Sequence, residues 1–220
     1  MHQSFTKNRV NQHTRISRNL LVQDCYAFPL HQVYLVDDRF EQTRSGPNWQ
    51  GGVMTLTTCK HFMRTTREDW VGAWLAAFTP KIDGENYLLS LMQVHQQFES
   101  NYALGVYLRA HRPDVYAAKR TDKNPLGDIY HPKRQLAGTA IRDHRNYTVH
   151  PNHVRWELKN GAPKWYSDIN YQKGRRAPAA LLFDTQYLFS RPAYRVTRPL
   201  YRSGWRCTLG DLLANYMEEV

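Results

Sequence analysis

Four apolar, β-branched runs crowd into the first half of the chain: His31–Asp37, Val53–Cys59, Trp70–Phe78 and Tyr87–Val94. The intervals between them carry turn formers, such as Gly46-Pro47-Asn48 and Asp83-Gly84-Glu85, and few helical signals. Parallel neighbours need a crossover, usually a helix, and this spacing leaves little room for one. The pattern predicts an α+β domain built on a small, mostly antiparallel β-barrel or strongly bent sheet, with a few flanking helices.

Helices are expected later. Glu99-Ser100-Asn101 reads as a helix entry, and Tyr102, Leu104, Val106, Tyr107 and Leu108 continue it as an amphipathic helix to about Ala110. Prolines 113, 125, 132 and 151 punctuate a long irregular stretch, and loops of that length are usually functional. Ala179–Phe183 and Tyr187–Ser190 read as one late strand, and Leu209–Met217 as a final helix with Thr208 at its N-cap. The layout divides into a basic N-terminal arm (1–30), a main domain (31–200) and a C-terminal helix packed on it (201–220).

Charge narrows the partner. The 220 residues carry 30 Lys+Arg against 19 Asp+Glu, a formal charge of +11, which favours a polyanion because each phosphate contact releases counterions. Lys7, Arg9, Arg15 and Arg18 precede the first acid, Asp24. A second basic segment runs from Lys119 to Arg155, with Tyr130, Tyr147 and further aromatics interleaved along the C-terminal half. Rings that stack on bases beside cations that hold phosphates suit an exposed nucleotide, although many of these rings must also be core. Three cysteines (Cys25, Cys59, Cys207) stand far apart with no CxxC, which argues against a disulfide framework and for a reducing cytoplasm. No signal peptide and no apolar run of about 18 residues is seen, so no membrane span is expected. His144, His150 and His153 lack a matching Cys or carboxylate at ligand spacing, so neither a metal nor another cofactor is predicted. The chain has no GxGxxG, P-loop, GxSxG or HExxH.

The motif that draws chemistry is Cys59-Lys60-His61 at the end of the second run. Cys59 beside Lys60 suggests a thiol of depressed pKa with His61 as base. If the strand persists, however, Cys59 and His61 share one face and Lys60 the other, so the triplet reads as a pocket rim. The bland alternative is a buried cysteine beside two solvated cations.

Taken together these motifs resemble a known family. Pro47-Asn48, then Thr55-Leu56-Thr57-Thr58-Cys59-Lys60, then Glu68-Asp69-Trp70, then Gly127-Asp128-Ile129-Tyr130 are similar to the ordered motifs of the second nucleotide-modification-associated domain family of bacteria and phages. Leu181–Phe183 and Tyr187–Phe189 are similar to its closing strand and aromatic stretch. More distantly, the order resembles the small β-barrels of the PUA, EVE and ASCH superfamily. The likeness covers about His31 to Arg198, and it departs at His61, where the family has Pro, and at Glu68, where it has Gly. It implies a role in recognising, modifying or attacking altered bases in DNA.

Three classes of function follow. The first is a nucleic-acid-binding module that accepts a modified, flipped or single-stranded base. The second is a base-processing enzyme, a glycosylase or base transferase, needing a carboxylate at an oxocarbenium-like centre. The third is a basic structural protein that docks an acidic partner. For the first, Asp37, Cys59, Lys60, His61, Lys119, Arg120, Asp122, Asn124, Tyr130 and Tyr166 are the expected nucleotide-binding residues, with Asp128 on the base edge. For the second, Asp128 and Asp168 are the catalytic candidates, with Asp122 and Asp37 behind them.

Overall fold

The computed structural model describes residues 22–44, 46–148, 165–170 and 177–220, which divide into two compact units. Unit 1 comprises Val71–Val94, Asp184–Val220 and the described residues up to Thr43, and unit 2 comprises Arg44–Trp70 and His95–Phe183.

Unit 1 is built on β1 (Asp24–Pro29), β5 (Trp74–Phe78), β6 (Leu88–Phe98, to Val94 in this unit) and β9 (Trp205–Thr208), in the order β6-β5-β1-β9. All five residues of β5 and five of the six in β1 are buried. Burial on both faces is why neither strand alternates apolar and polar residues. β5 pairs antiparallel with β6, and β9 antiparallel with β1. β1 and β5, by contrast, run parallel, from Cys25 opposite Trp74 to Pro29 opposite Phe78. The chain between them is long enough to return in the same direction. Two small antiparallel pairs complete the unit: β2 (Val33–Val36) with β3 (Arg39–Gln42), and β8 (Tyr194–Val196) with β10 (Met217–Glu219). The helix α5 (Leu209–Asn215) starts where Thr208 Oγ1 accepts from the Asp211 N–H at 3.0 Å. Its Leu209 and Leu212 join Phe78, Leu88, Leu91, Phe189 and Met217 in one apolar core.

Unit 2 is mainly helix and loop. β4 is only Thr55–Leu56, paired antiparallel with Leu181 and Leu182 at the start of β7 (Ala180–Leu188). Its helices are α1 (His61–Arg64), α2 (Asn101–His111), α3 (Pro113–Lys119) and α4 (Tyr166–Asn170). The Ser100 hydroxyl caps α2 by accepting from the Ala103 N–H at 3.1 Å, and Pro113 opens α3 at a position where its missing N–H costs nothing. Leu104 and Leu108 of α2 pack with Val115 and Tyr116 of α3, Ile129, Ala180 and Leu182. A second cluster gathers Tyr130, Leu136, Tyr147, Trp165 and Ile169.

The α+β class and the mostly antiparallel sheet are as expected, but among the described residues no strand set closes into a barrel. Two boundaries shift. Asp24–Pro29, read as part of a basic arm, forms the buried β1, and the arm's basic residues lie outside the described residues. His31–Asp37 is half of a hairpin whose tip, Asp37 and Asp38, takes positive φ at both positions (47° and 58°), as a two-residue turn requires. No described helix is long and apolar enough to cross a membrane.

Candidate functional site

The sequence between Met54 and Arg64 changes direction at its polar motif. β4 ends at Leu56, the chain bends at Thr58 and Cys59, and Cys59 and Lys60 both adopt left-handed backbone (φ 60° and 45°) before α1 begins at His61. The strand does not persist through the triplet, so the face assignment expected for Cys59 and His61 does not apply. Instead the turn wraps around Arg64, which is 1% exposed. Its Nε donates to the Cys59 carbonyl at 3.1 Å, one terminal nitrogen to the Thr57 carbonyl at 2.8 Å, and the other to the Ala179 carbonyl. A buried guanidinium thus supplies donors to three loop carbonyls at once.

Asp168, on α4, stands against this turn. Its Oδ1 accepts from the Cys59 N–H at 2.8 Å and lies 3.9 Å from both Arg64 and His61 Nδ1. Its Oδ2 accepts from the Tyr130 hydroxyl at 3.0 Å. Desolvation lifts the Asp168 carboxyl to about 6, against the opposing pull of Arg64 and of its hydrogen bonds. Tyr130 is 1% exposed, its ring stacked on Trp165 at 4.8 Å, and burial beside Asp168 raises its phenol well above the usual value.

A second buried group follows from the 119–129 loop. Thr121 N donates to the Ile129 carbonyl and Ile129 N to the Lys119 carbonyl, both at 3.0 Å, so the loop closes at its base and turns Lys119 and Asp128 inward. Both are fully buried. The Lys119 ammonium donates to the Asn48 carbonyl (2.9 Å) and to Asn48 Oδ1 (2.6 Å), and burial lowers it to about 8. Asp128 Oδ2 accepts from the Thr55 hydroxyl at 2.8 Å, while its Oδ1 has no hydrogen-bond partner among the described residues. Burial raises this carboxyl too. Asn101, at the start of α2, ties the strands of the network together. It donates to Thr57 Oγ1 (2.8 Å) and to the Asp128 carbonyl (2.6 Å), and accepts from the Tyr130 N–H (2.9 Å).

Beside α2 and α3 opens a cleft of about 350 Å³. Tyr102, Tyr116 and Tyr130 line it together with Arg109, Lys133 and Arg134, and none of its described lining residues is acidic. Arg109, Lys133 and Arg134 are exposed, whereas Tyr116 and Tyr130 are buried walls. Close packing fixes the α2 side, since a Cβ on Gly105 would lie 3.0 Å from Ile129 Cγ2. The Tyr116 hydroxyl shares a hydrogen bond with His131 Nδ1 at 3.0 Å.

Unit 2 therefore brings Cys59, His61, Asp128, Tyr130 and Asp168 into one network with Arg64 and Asn101, which carried no motif, and with the motif residues Asn48, Thr55 and Thr57, to which the sequence assigned no site role. Several expected roles change. Lys119 is sealed from solvent and cannot reach a phosphate, and Asp128 has no exposed edge to offer a base. The Cys59 thiol is pushed up to about 11 by burial and by Asp168, against the depressed thiol that its neighbour Lys60 suggested. Arg120 is held by Asp122 in a two-pronged pair (2.9 and 2.6 Å), and Asn124 braces its own turn through the Ala118 carbonyl and the Leu126 N–H. Tyr166 bonds Asn170 on its own helix and faces the His144 ring at 4.9 Å. Lys60 is half-buried in the turn, and Asp37 lies in unit 1, exposed at its hairpin tip. His150 and His153 lie outside the described residues. Of the cleft's lining, Tyr130, Lys133 and Arg134 fall in the basic, aromatic Lys119–Arg155 segment marked in the sequence, whereas Tyr102, Arg109 and Tyr116 carry no motif. Compared with family models, with curated proteins and with solved structures, the chain matches none of them.

Proposed function

We propose that unit 2 binds nucleic acid, with a strand's phosphates on Arg109, Lys133 and Arg134 and an unpaired base among the tyrosines of the cleft. The observation that carries this reading is the cleft itself: three exposed cations and three tyrosines around about 350 Å³, with no acid on its described lining. Cations neutralise phosphate and release counterions, and any base offers a face for stacking, so this chemistry favours single-stranded or flipped nucleotides. The motif residues behind the resemblance to the nucleotide-modification-associated family support DNA with modified bases as the partner. Asn48, Thr55, Thr57, Cys59, Asp128 and Tyr130 are scattered along the sequence, yet they meet in one hydrogen-bonded network. A distant PUA-like relation of the open, mostly antiparallel sheet, which closes into no barrel among the described residues, belongs to the same reading.

A base-processing activity is the second reading, and one observation favours it. Asp168, 7% exposed and lifted to about 6, accepts from Tyr130, which also lines the cleft. A carboxyl near 6 is matched to proton transfer close to neutral pH. Plain and modified single-stranded oligonucleotides, scored for binding and for abasic sites, test both readings. Binding without abasic sites supports the module, and release of base that stops in Asp168→Asn while binding persists supports the enzyme. No binding to any oligonucleotide at low salt rejects both.

A further inference from the structure

Cys25 and Cys207 are 182 positions apart in sequence, yet they are directly opposed partners in the antiparallel pair of β1 and β9. Opposed residues of such a pair project to the same face, with Cα atoms roughly 4.5 or 5.5 Å apart according to their place in the ladder. Both spacings fall within the roughly 4.4–6.8 Å that a disulfide bridges. Cys207 Sγ already lies 3.9 Å from the Cys25 carbonyl oxygen, and both residues are free thiols. Their surroundings differ. Cys25 is fully buried, and its thiol is raised well above the usual value by the neighbouring Cys207 thiol and by burial. Cys207 is partly exposed on β9, the edge strand of the unit 1 sheet.

We propose that Cys25 and Cys207 form an oxidisable dithiol site whose reactant is a low-molecular-weight disulfide such as oxidised glutathione. Cys207, the accessible member, gives its proton to water, and its thiolate attacks one sulfur of that disulfide and expels the first glutathione thiolate, which leaves a mixed disulfide on Cys207. The proton given to water returns to the second glutathione thiolate when that is released. Cys25 then loses its proton to the expelled thiolate and attacks the Cys207 sulfur, releasing the second glutathione. Two protein thiols and one oxidised glutathione become one protein disulfide and two reduced glutathiones. The order follows from exposure, because the buried thiol reacts only with a partner already delivered to its neighbour. The bond would tie the edge strand to β1 at the residue before the Thr208 cap of α5. It would close a very long loop, which restricts the unfolded chain strongly.

The test uses the full chain. Native protein is incubated with oxidised glutathione, remaining thiols are alkylated, and the digest is read by mass spectrometry beside a thermal melt. The expected result is a Cys25–Cys207 linked peptide, loss of two hydrogens from the intact mass, and a Tm raised by several degrees that a thiol reductant reverses. Cys207→Ser abolishes both the link and the Tm rise, whereas Cys59→Ser, in unit 2, keeps them. Stable glutathionylation of Cys207 with no linked peptide overturns the proposal. So does a link that forms only after denaturation, or an oxidised protein with an unchanged melt.

Discussion

In unit 1 Ala27, Ala76, Phe78, Leu88 and Leu212 are among the fully buried residues of one apolar core, and the strands that carry the first four pair through backbone hydrogen bonds. At the same depth unit 2 holds Arg64, Lys119, Asp128 and Asp168, joined by Asn48, Thr55, Thr57 and Asn101. The first arrangement gains stability from area removed from water. The second gives part of that gain up, because buried charges cost several kcal/mol unless each is well paired. The shifts carry that cost: Asp168 is lifted to about 6 and Lys119 lowered to about 8. What the network supplies in exchange is position, since Arg64 and Asp168 between them fix the 57–61 turn, the residue that leads into β7 and the Tyr130 hydroxyl.

The contrast breaks most readily at Arg64. Arg64→Met should cost about 3–5 kcal/mol in denaturant unfolding, because three carbonyls lose their donor and Asp168 loses its nearest buried cation. A loss below about 1 kcal/mol would mean that the turn is held by its apolar neighbours instead.

In unit 1 the matching experiment is Leu88→Ala, which should cost about 3–4 kcal/mol by cavity formation alone. Its effect should be the same at pH 4 and pH 7, since Cys25, the thiol of that core, is pushed well above its usual value and stays protonated at both. A clear pH dependence of the Leu88→Ala loss would erase the proposed difference between the units.

Asp168→Asn sharpens the comparison through pH. The folded-state carboxyl sits above its ordinary value of 3.8, so the folded protein holds the proton more tightly than the unfolded chain. Its contribution is therefore fully present below about pH 4 and is lost as pH rises through about 6. Across that window wild type should lose up to roughly 3 kcal/mol relative to Asp168→Asn. Parallel stability curves for the two proteins would show that Asp168 titrates normally.

Much of this was legible beforehand and some was hidden for physical reasons. The Ser100 and Thr208 caps announced α2 and α5, and β5 and β6 stood out as apolar runs. β1 did not, because Asp24–Pro29 opens on an acid, closes on a proline and follows a basic segment. α3 hid behind Pro113, which reads as a break although it is a good first helical residue. The run Val53–Cys59 was expected as a strand with the triplet Cys59-Lys60-His61 as a pocket rim at its end, but only Thr55–Leu56 pairs, and a left-handed turn leaves no trace in residue type when no glycine supplies it. Arg64 looked like one more cation of a basic loop. Its burial depends on the Ala179 carbonyl, 115 residues away, and the pairing of Cys25 with Cys207 spans an even greater distance. Sequence patterns report local preference, and these partners meet only through the tertiary fold.

The central claim is that the tyrosine-lined, cationic cleft of unit 2 is where nucleic acid binds. Fluorescence anisotropy of a labelled single-stranded DNA, titrated with wild type and with Arg109→Glu/Arg134→Glu at several salt concentrations, tests it most directly. Both arginines are exposed, so the double variant should fold as wild type does. The account predicts wild-type binding that weakens steeply with salt, and at low salt an affinity at least about tenfold weaker in the variant, with a shallower salt slope. Equal affinities and equal slopes for the two proteins would place the nucleic acid elsewhere and contradict the claim.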